Sequence, residues 1–137
     1  MATNSIKEIE GIGPVYAEKL AEAGITSVEG LLQEGASKTG RNGISKTTGI
    51  DAKKILQWVN MADLFRIKGV GEEYSNLLEV AGGVDTVKEL RNRNAANLQA
   101  KMAEVNEEKN LVRNTPSLSM VEGWVSQAKE LDPMVTH

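Results

Sequence analysis

Cysteine is absent from the chain, and the single histidine is its last residue, His137. The first absence excludes disulfides and thiolate metal sites. The second leaves no cluster of imidazoles and carboxylates for zinc, and no nucleophile–imidazole pair inside the fold. No metal and no cofactor is expected. Aromatic residues are scarce, with two Trp, two Tyr and one Phe, so the core has to be built from Leu, Ile, Val and Ala. No apolar run approaches the ~20 residues of a membrane span. The opening "MATNSIKEIEGIG" has no signal-peptide core, so a cytoplasmic protein without membrane contact is expected. A basic balance is missing too. The net charge is −3 and the pI near 5.3, so binding to nucleic acid would have to rest on locally concentrated Lys and Arg.

What is present is a repeat. "IEGIGPVYAEKLAEAG" (9–24) aligns without a gap with "IKGVGEEYSNLLEVAG" (67–82). Gly11 and Gly13 match Gly69 and Gly71; Tyr16 and Leu20 match Tyr74 and Leu78. After one inserted glycine, "ITSVEGLL" (25–32) resembles "VDTVKELR" (84–91), and later Trp58 stands opposite Trp124. A duplication into residues 1–64 and 65–137 follows, the halves packed as one compact body.

The local signals are helical throughout. Ser5 with Glu8, Thr26 with Glu29, Thr86 with Glu89 and Ser119 with Glu122 form capping boxes. Pro14 suits the first turn of a helix over 14–23, and Gly24 suits its end. Asp51 caps a helix whose apolar positions are Ile55, Trp58, Val59, Ala62 and Phe65, a helical spacing that makes both tryptophans core residues. Residues 95–113 are helical. "EGASKTGRNGISKTTG" (34–49) is rich in Gly, Ser and Thr and is expected to be a loop with at most one short helix. No segment alternates with period two, so the fold class is all-α.

Two helices joined by so short a link need backbone conformations that only glycine adopts cheaply. Ile6, Ile9, Gly11, Ile12, Gly13, Ala17 and Leu20 have the pattern of a helix-hairpin-helix motif. Leu64, Ile67, Gly69, Val70, Gly71, Ser75 and Leu78 repeat it, departing only in Ser75 for Ala. The whole chain resembles an uncharacterised family, domain of unknown function 4332, that carries paired motifs of this kind. The resemblance implies two duplicated units, each a SAM-domain-like helical bundle opening with the motif. It also implies a phosphate contact without sequence readout, made by the hairpin backbone at the helix N-terminus.

The candidate backbone contacts are Gly11, Ile12 and Gly13 in the first hairpin, and Gly69, Val70 and Gly71 in the second. The charge candidates are Lys19, Lys38, Arg41, Lys46 and Lys68, with Arg66 beside them. Lys38, Arg41, Lys46, Lys53 and Lys54 form the most basic stretch, against one acid, Asp51. That stretch also has a weak helix-turn-helix look, with Ile44, Gly49 and Ile55 in place; a lysine-bearing surface loop is the simpler reading. Glu72 and Glu73 open the second hairpin's helix, where they suit the dipole but repel a phosphate. Only the first hairpin's helix opens without acids. Catalysis has no constellation to rest on, and "GRNGISKTTG" has the wrong spacing for a phosphate loop. The expectation is a non-enzymatic module that contacts nucleic-acid backbone, DNA included, weakly and without sequence preference. The rival is an adaptor that keeps the hairpin fold and binds a protein. No small-molecule substrate is evident.

Overall fold

The computed structural model describes residues 5–9 and 11–136; Glu10, beside the first glycine pair, and His137, the only histidine, lie outside them. Among the described residues there are eight α-helices and no strand: α1 (Pro14–Glu22), α2 (Val28–Gly35), α3 (Lys38–Thr48), α4 (Ala52–Leu64), α5 (Glu72–Gly82), α6 (Val87–Leu90), α7 (Ala95–Lys109) and α8 (Leu118–Glu130). The expected all-α class is what forms. The chain divides into two compact units, Met1–Asp63 with Met134–His137, and Leu64–Pro133.

The first unit begins with a single 3-10 turn, Ile6–Glu8, capped by Ser5, whose hydroxyl accepts from the Lys7 N–H at 3.3 Å. Ile9 donates to the Ile6 carbonyl and Ile12 to the Ile9 carbonyl, both at 3.1 Å. Between them Gly11 takes φ +96°, so the chain doubles back while Ile6, Ile9 and Ile12 all stay buried. α1 then starts on Pro14, where the missing N–H costs nothing. It closes by a Schellman motif: Ile25 donates to Leu20 and Gly24 to Ala21, both at 2.9 Å. The second unit bends in the same way after α4. Ile67 donates to Leu64 and Val70 to Ile67 at 3.1 Å, with Gly69 at φ +92°. At the end of α5, Gly82 stays helical, and the inserted Gly83 takes the left-handed position at φ +66°.

Three local expectations shift. The α2 cap is Ser27 rather than Thr26. Its hydroxyl accepts from the Gly30 N–H at 3.0 Å, a register that buries Val28, Leu31 and Leu32 together. Thr26 is exposed, and its carbonyl accepts from the Ile6 N–H. Ser27→Ala should therefore cost about 1 kcal/mol and Thr26→Ala less than half of that, read from amide exchange across α2. Likewise α8 is capped by Ser117, accepting from Met120 at 3.1 Å, not by Ser119. The helix gains a residue or two, so that Val121, Trp124, Val125 and Ala128 form its buried face. Finally, residues expected as loop form the eleven-residue α3.

The second unit has a continuous apolar core from Leu64 through Ala128, with Leu77, Leu78, Leu90, Met102 and Val121 fully buried. α7 packs on α5 and α8, and α6 on α8. α7 stops at Lys109, short of residue 113, because Asn110 turns left-handed at φ +51°. The buried Asn106 amide then takes over the chain, accepting from Val112 N–H at 2.9 Å and donating to its carbonyl at 3.2 Å.

Candidate nucleic-acid interface

Each two-glycine corner uses its glycines for different ends. A Cβ on Gly11 would stand 3.3 Å from Trp58 Nε1, and one on Gly69 the same distance from Trp124 Nε1. With φ near +90° as well, these positions require glycine for the fold. Gly13 and Gly71 differ. Their φ values, −92° and −117°, suit any residue, and an added Cβ would meet nothing within 4 Å. Packing does not ask for glycine there.

Gly13 and Gly71 are the N-caps of α1 and α5, and neither has a side chain to satisfy the first-turn donors. The other six helices are all capped by a side chain: Ser27, Ser37, Asp51, Thr86, Asn94 and Ser117 accept from backbone N–H groups two or three residues on. α1 and α5 thus begin without a capping side chain at the positive end of the helix dipole.

The surroundings of the two corners diverge. No acid occupies the first turn of α1. The Lys54 ammonium lies 5.5 Å from the centre of the Tyr16 ring, in that turn. Tyr16 itself packs edge-on against Trp58, centroids 5.0 Å apart. Lys7 lines a cleft of about 280 Å³ together with Pro14, Ala17 and Glu18, on the opposite side of α1 from Tyr16 by helical register. A cation therefore stands on each flank of the α1 N-terminus, and Glu18 is the one acid among the described residues lining the Lys7 cleft. At the second corner, Glu72 and Glu73 fill the first turn. Tyr74 packs on Trp124 with centroids 5.2 Å apart, but the position four residues before Trp124 is Met120, exposed, where the first unit has Lys54. Gln127 also bonds the corner's backbone, accepting from Lys68 N–H at 2.9 Å and donating to its carbonyl at 3.4 Å.

The sequence-expected residues scatter accordingly. Gly11, Ile12 and Gly13 meet at the first corner and Gly69, Val70 and Gly71 at the second, with the Ile12 and Val70 side chains buried, so only their backbones are offered. Lys19 is exposed in the last turn of α1. Lys38 is exposed at the start of α3, where it shares a cleft of about 180 Å³ with Lys53. Lys46 is exposed about 12 Å further along that helix, at 1.5 Å per residue. Lys68 is exposed beside Gly69. Arg66 donates to the Asp132 carbonyl at 2.8 Å. Arg41 is a correction. It is 4% exposed and donates to the Gly35 and Ala36 carbonyls at 2.9 and 3.0 Å and to the Thr136 carbonyl. Burial holds its pKa below the ordinary value. It is a structural cation at the negative end of the α2 dipole and offers nothing to a surface ligand. Trp58 and Trp124 are both buried, as their register implies, and present no face for base stacking. Lys54 and Lys7 were not among the expected contacts. Lys54 was legible as the residue one turn before Trp58, the tryptophan that packs on Tyr16.

Among the described residues no group of His, Asp and Glu is placed to hold a metal ion, and no helix is long and apolar enough to cross a membrane. A stretch of 56 residues, 41% of this chain, is 41% identical to part of the poly(3-hydroxyalkanoate) polymerase subunit PhaC of Haloferax mediterranei. The match spans about a tenth of that subunit's length. No solved structure matches the chain. The model of the family described as Domain of unknown function (DUF4332) matches residues 10–131, and the chain belongs to that family.

Proposed function

We propose that the protein is a non-enzymatic pair of duplicated helix-hairpin-helix units whose first hairpin grips a nucleic-acid phosphate. The observation that carries this reading is Gly13: a glycine that neither backbone conformation nor packing demands, at the one helix start among the described residues that has neither a capping side chain nor an acid in its first turn. With no Cβ, it keeps the Gly13, Val15 and Tyr16 N–H groups open to an oxyanion, and Lys7 and Lys54 add charge on either side. Contacts of this kind position a backbone and read no bases.

The test is binding of the full chain to duplex and single-stranded oligonucleotides at low salt. Dissociation constants of about 10–100 µM near 50 mM salt are expected, with a salt slope of about 2–3 for the two or three phosphates in reach. Gly13→Asp separates binding from folding. An Asp at the N-cap supplies the missing acceptor and leaves stability equal or a few tenths of a kcal/mol higher, yet it fills the phosphate position and should cut affinity at least ~10-fold, the effect of a lost charge-assisted contact. Lys54→Glu should weaken binding several-fold, and Gly71→Asp should leave it unchanged. Absence of saturable binding at ~100 µM protein, within the range of non-specific binders, or equal loss from Gly13→Asp and Gly71→Asp, defeats the reading.

The second corner favours a protein partner. Glu72 and Glu73 repel phosphate, and Leu118 and Met120 are exposed in the first turn of α8. Nuclease-insensitive capture of a protein, abolished by Met120→Glu, would establish that role.

A further inference from the structure

Besides the hairpin, the first unit holds a second cationic place. Lys38, from the first turn of α3, and Lys53, from the first turn of α4, share a cleft of about 180 Å³. Asn42, Ala52, Leu56 and the buried Arg41 complete its lining, and among the described residues no carboxylate does. Neither ammonium has an ion-pair partner among the described residues. Arg41 keeps its guanidinium on the Gly35, Ala36 and Thr136 carbonyls, so the donors open to a ligand are the two ammoniums and the Asn42 amide. Asp51, the α4 cap, is turned onto its own helix, its Oδ1 accepting from the Lys53 N–H at 2.8 Å. A cleft lined by one sign of charge concentrates counter-ions. At about 180 Å³ it is smaller than the ~300 Å³ of a small-molecule pocket, so it suits a phosphate group and not a nucleoside.

Helical register joins this cleft to the hairpin. At about 100° per residue, Lys53 and Lys54 stand at the two edges of the exposed arc of the first two turns of α4, with exposed Gln57 between them. Lys53 lines the cleft, while the Lys54 ammonium lies on the α1 side, 5.5 Å from the centre of the Tyr16 ring. That arc carries no acid. A helix is about 10 Å across, which is about three steps of one strand at ~3.4 Å of rise per nucleotide. We propose that the cleft holds a second phosphate of the strand whose first phosphate sits at Gly13, so that the backbone crosses the solvent face of α4 over Gln57. This rests on the hairpin reading above and extends it from one contact to a track. The track belongs to the first unit: where Trp58 is set against Trp124, Ser119 and Met120 stand in place of Lys53 and Lys54.

The test uses the full chain and the same oligonucleotides, near 50 mM salt. Lys38→Met combined with Lys53→Met should cut affinity about 10-fold and lower the salt slope by about 1. Lys19→Met combined with Lys46→Met removes the same charge from positions off the track and should change affinity less than about 2-fold. All four lysines are exposed, so circular dichroism should show unchanged helicity in both double variants. Gln57→Glu sets a carboxylate on the path without touching the cleft and should weaken binding at least about 3-fold. Equal losses from the two lysine pairs reduce the effect to net charge and overturn the proposal. Full affinity in the Lys38, Lys53 variant or in Gln57→Glu also overturns it. If Gly13→Asp still weakens binding in that case, the hairpin reading stands and only the track falls. Failure of the unaltered chain to bind removes both.

Discussion

Gly40→Ala should destabilise the first unit by about 2 kcal/mol, while Gly43→Ala, three residues later in the same helix, should stabilise it by about 0.5–1 kcal/mol. Both glycines are helical, and in both cases the exchange gains the intrinsic preference of alanine for a helix. At Gly43 nothing opposes that gain, because a Cβ meets no atom within 4 Å. At Gly40 the new Cβ would lie 2.0 Å from the Glu34 carbonyl oxygen, with Ser37 Oγ also at 3.2 Å. A backbone carbonyl in the last turn of α2 has no rotamer to escape into, so the two helices must part. Parting them breaks the Ser37 cap on Gly40 and draws Arg41 away from Gly35 and Ala36. The strain therefore exceeds the propensity gain, and the signs at 40 and 43 are opposite. Amide exchange across α2 and α3 reads the local effect directly. A shared sign would mean that the corner is loose and that α3 is held by propensity alone.

That helix is also where sequence and structure part most widely, and the reason is physical. Seven of the eleven residues of α3 are Gly, Ser, Thr or Asn, all poor helix formers in isolation. What holds the segment helical is tertiary: a Ser37 cap, Ile44 in the core, and a guanidinium bonded to three carbonyls. None of these is visible in a window of local preference. The corner glycines show the converse. Spacing alone located Gly11 and Gly69, because a positive φ leaves few residues to choose from. Spacing could not separate Gly11 from Gly13. The two look alike in a row of letters, and only the nearness of Trp58 Nε1 to one and the open space around the other divide a packing glycine from one that bares a helix end. Charge was hardest to place. Arg41 and Lys38 sit in one basic run, yet one is among the most buried polar residues and the other lies in solvent. Lys54, set aside as part of that run, is the cation that stands over the Tyr16 ring.

Arg41→Met is the second large effect expected, a loss of about 3 kcal/mol in the first unit against less than 0.5 kcal/mol for Lys38→Met. Methionine keeps the length and apolar stem of arginine, so the change isolates the head group. In its absence the Gly35 carbonyl at the end of α2 loses its bond, Thr136 loses its acceptor role, and Ala36 keeps only the Thr136 donors. Against this, the buried guanidinium no longer has to be held out of water, which returns part of the cost. The bonds win because the cation faces carbonyls at the negative end of a helix dipole, where its charge is favoured. Lys38 makes no comparable contact and projects from the first turn of α3. The two variants also divide stability from binding. Arg41→Met should leave phosphate affinity unchanged in the folded population, since its guanidinium never reaches the surface, whereas exposed cations act through the salt-dependent term. A binding loss from Arg41→Met at full helicity would put the guanidinium outside the corner between α2 and α3. Unchanged exchange rates in α2 and α3 would remove it from the corner.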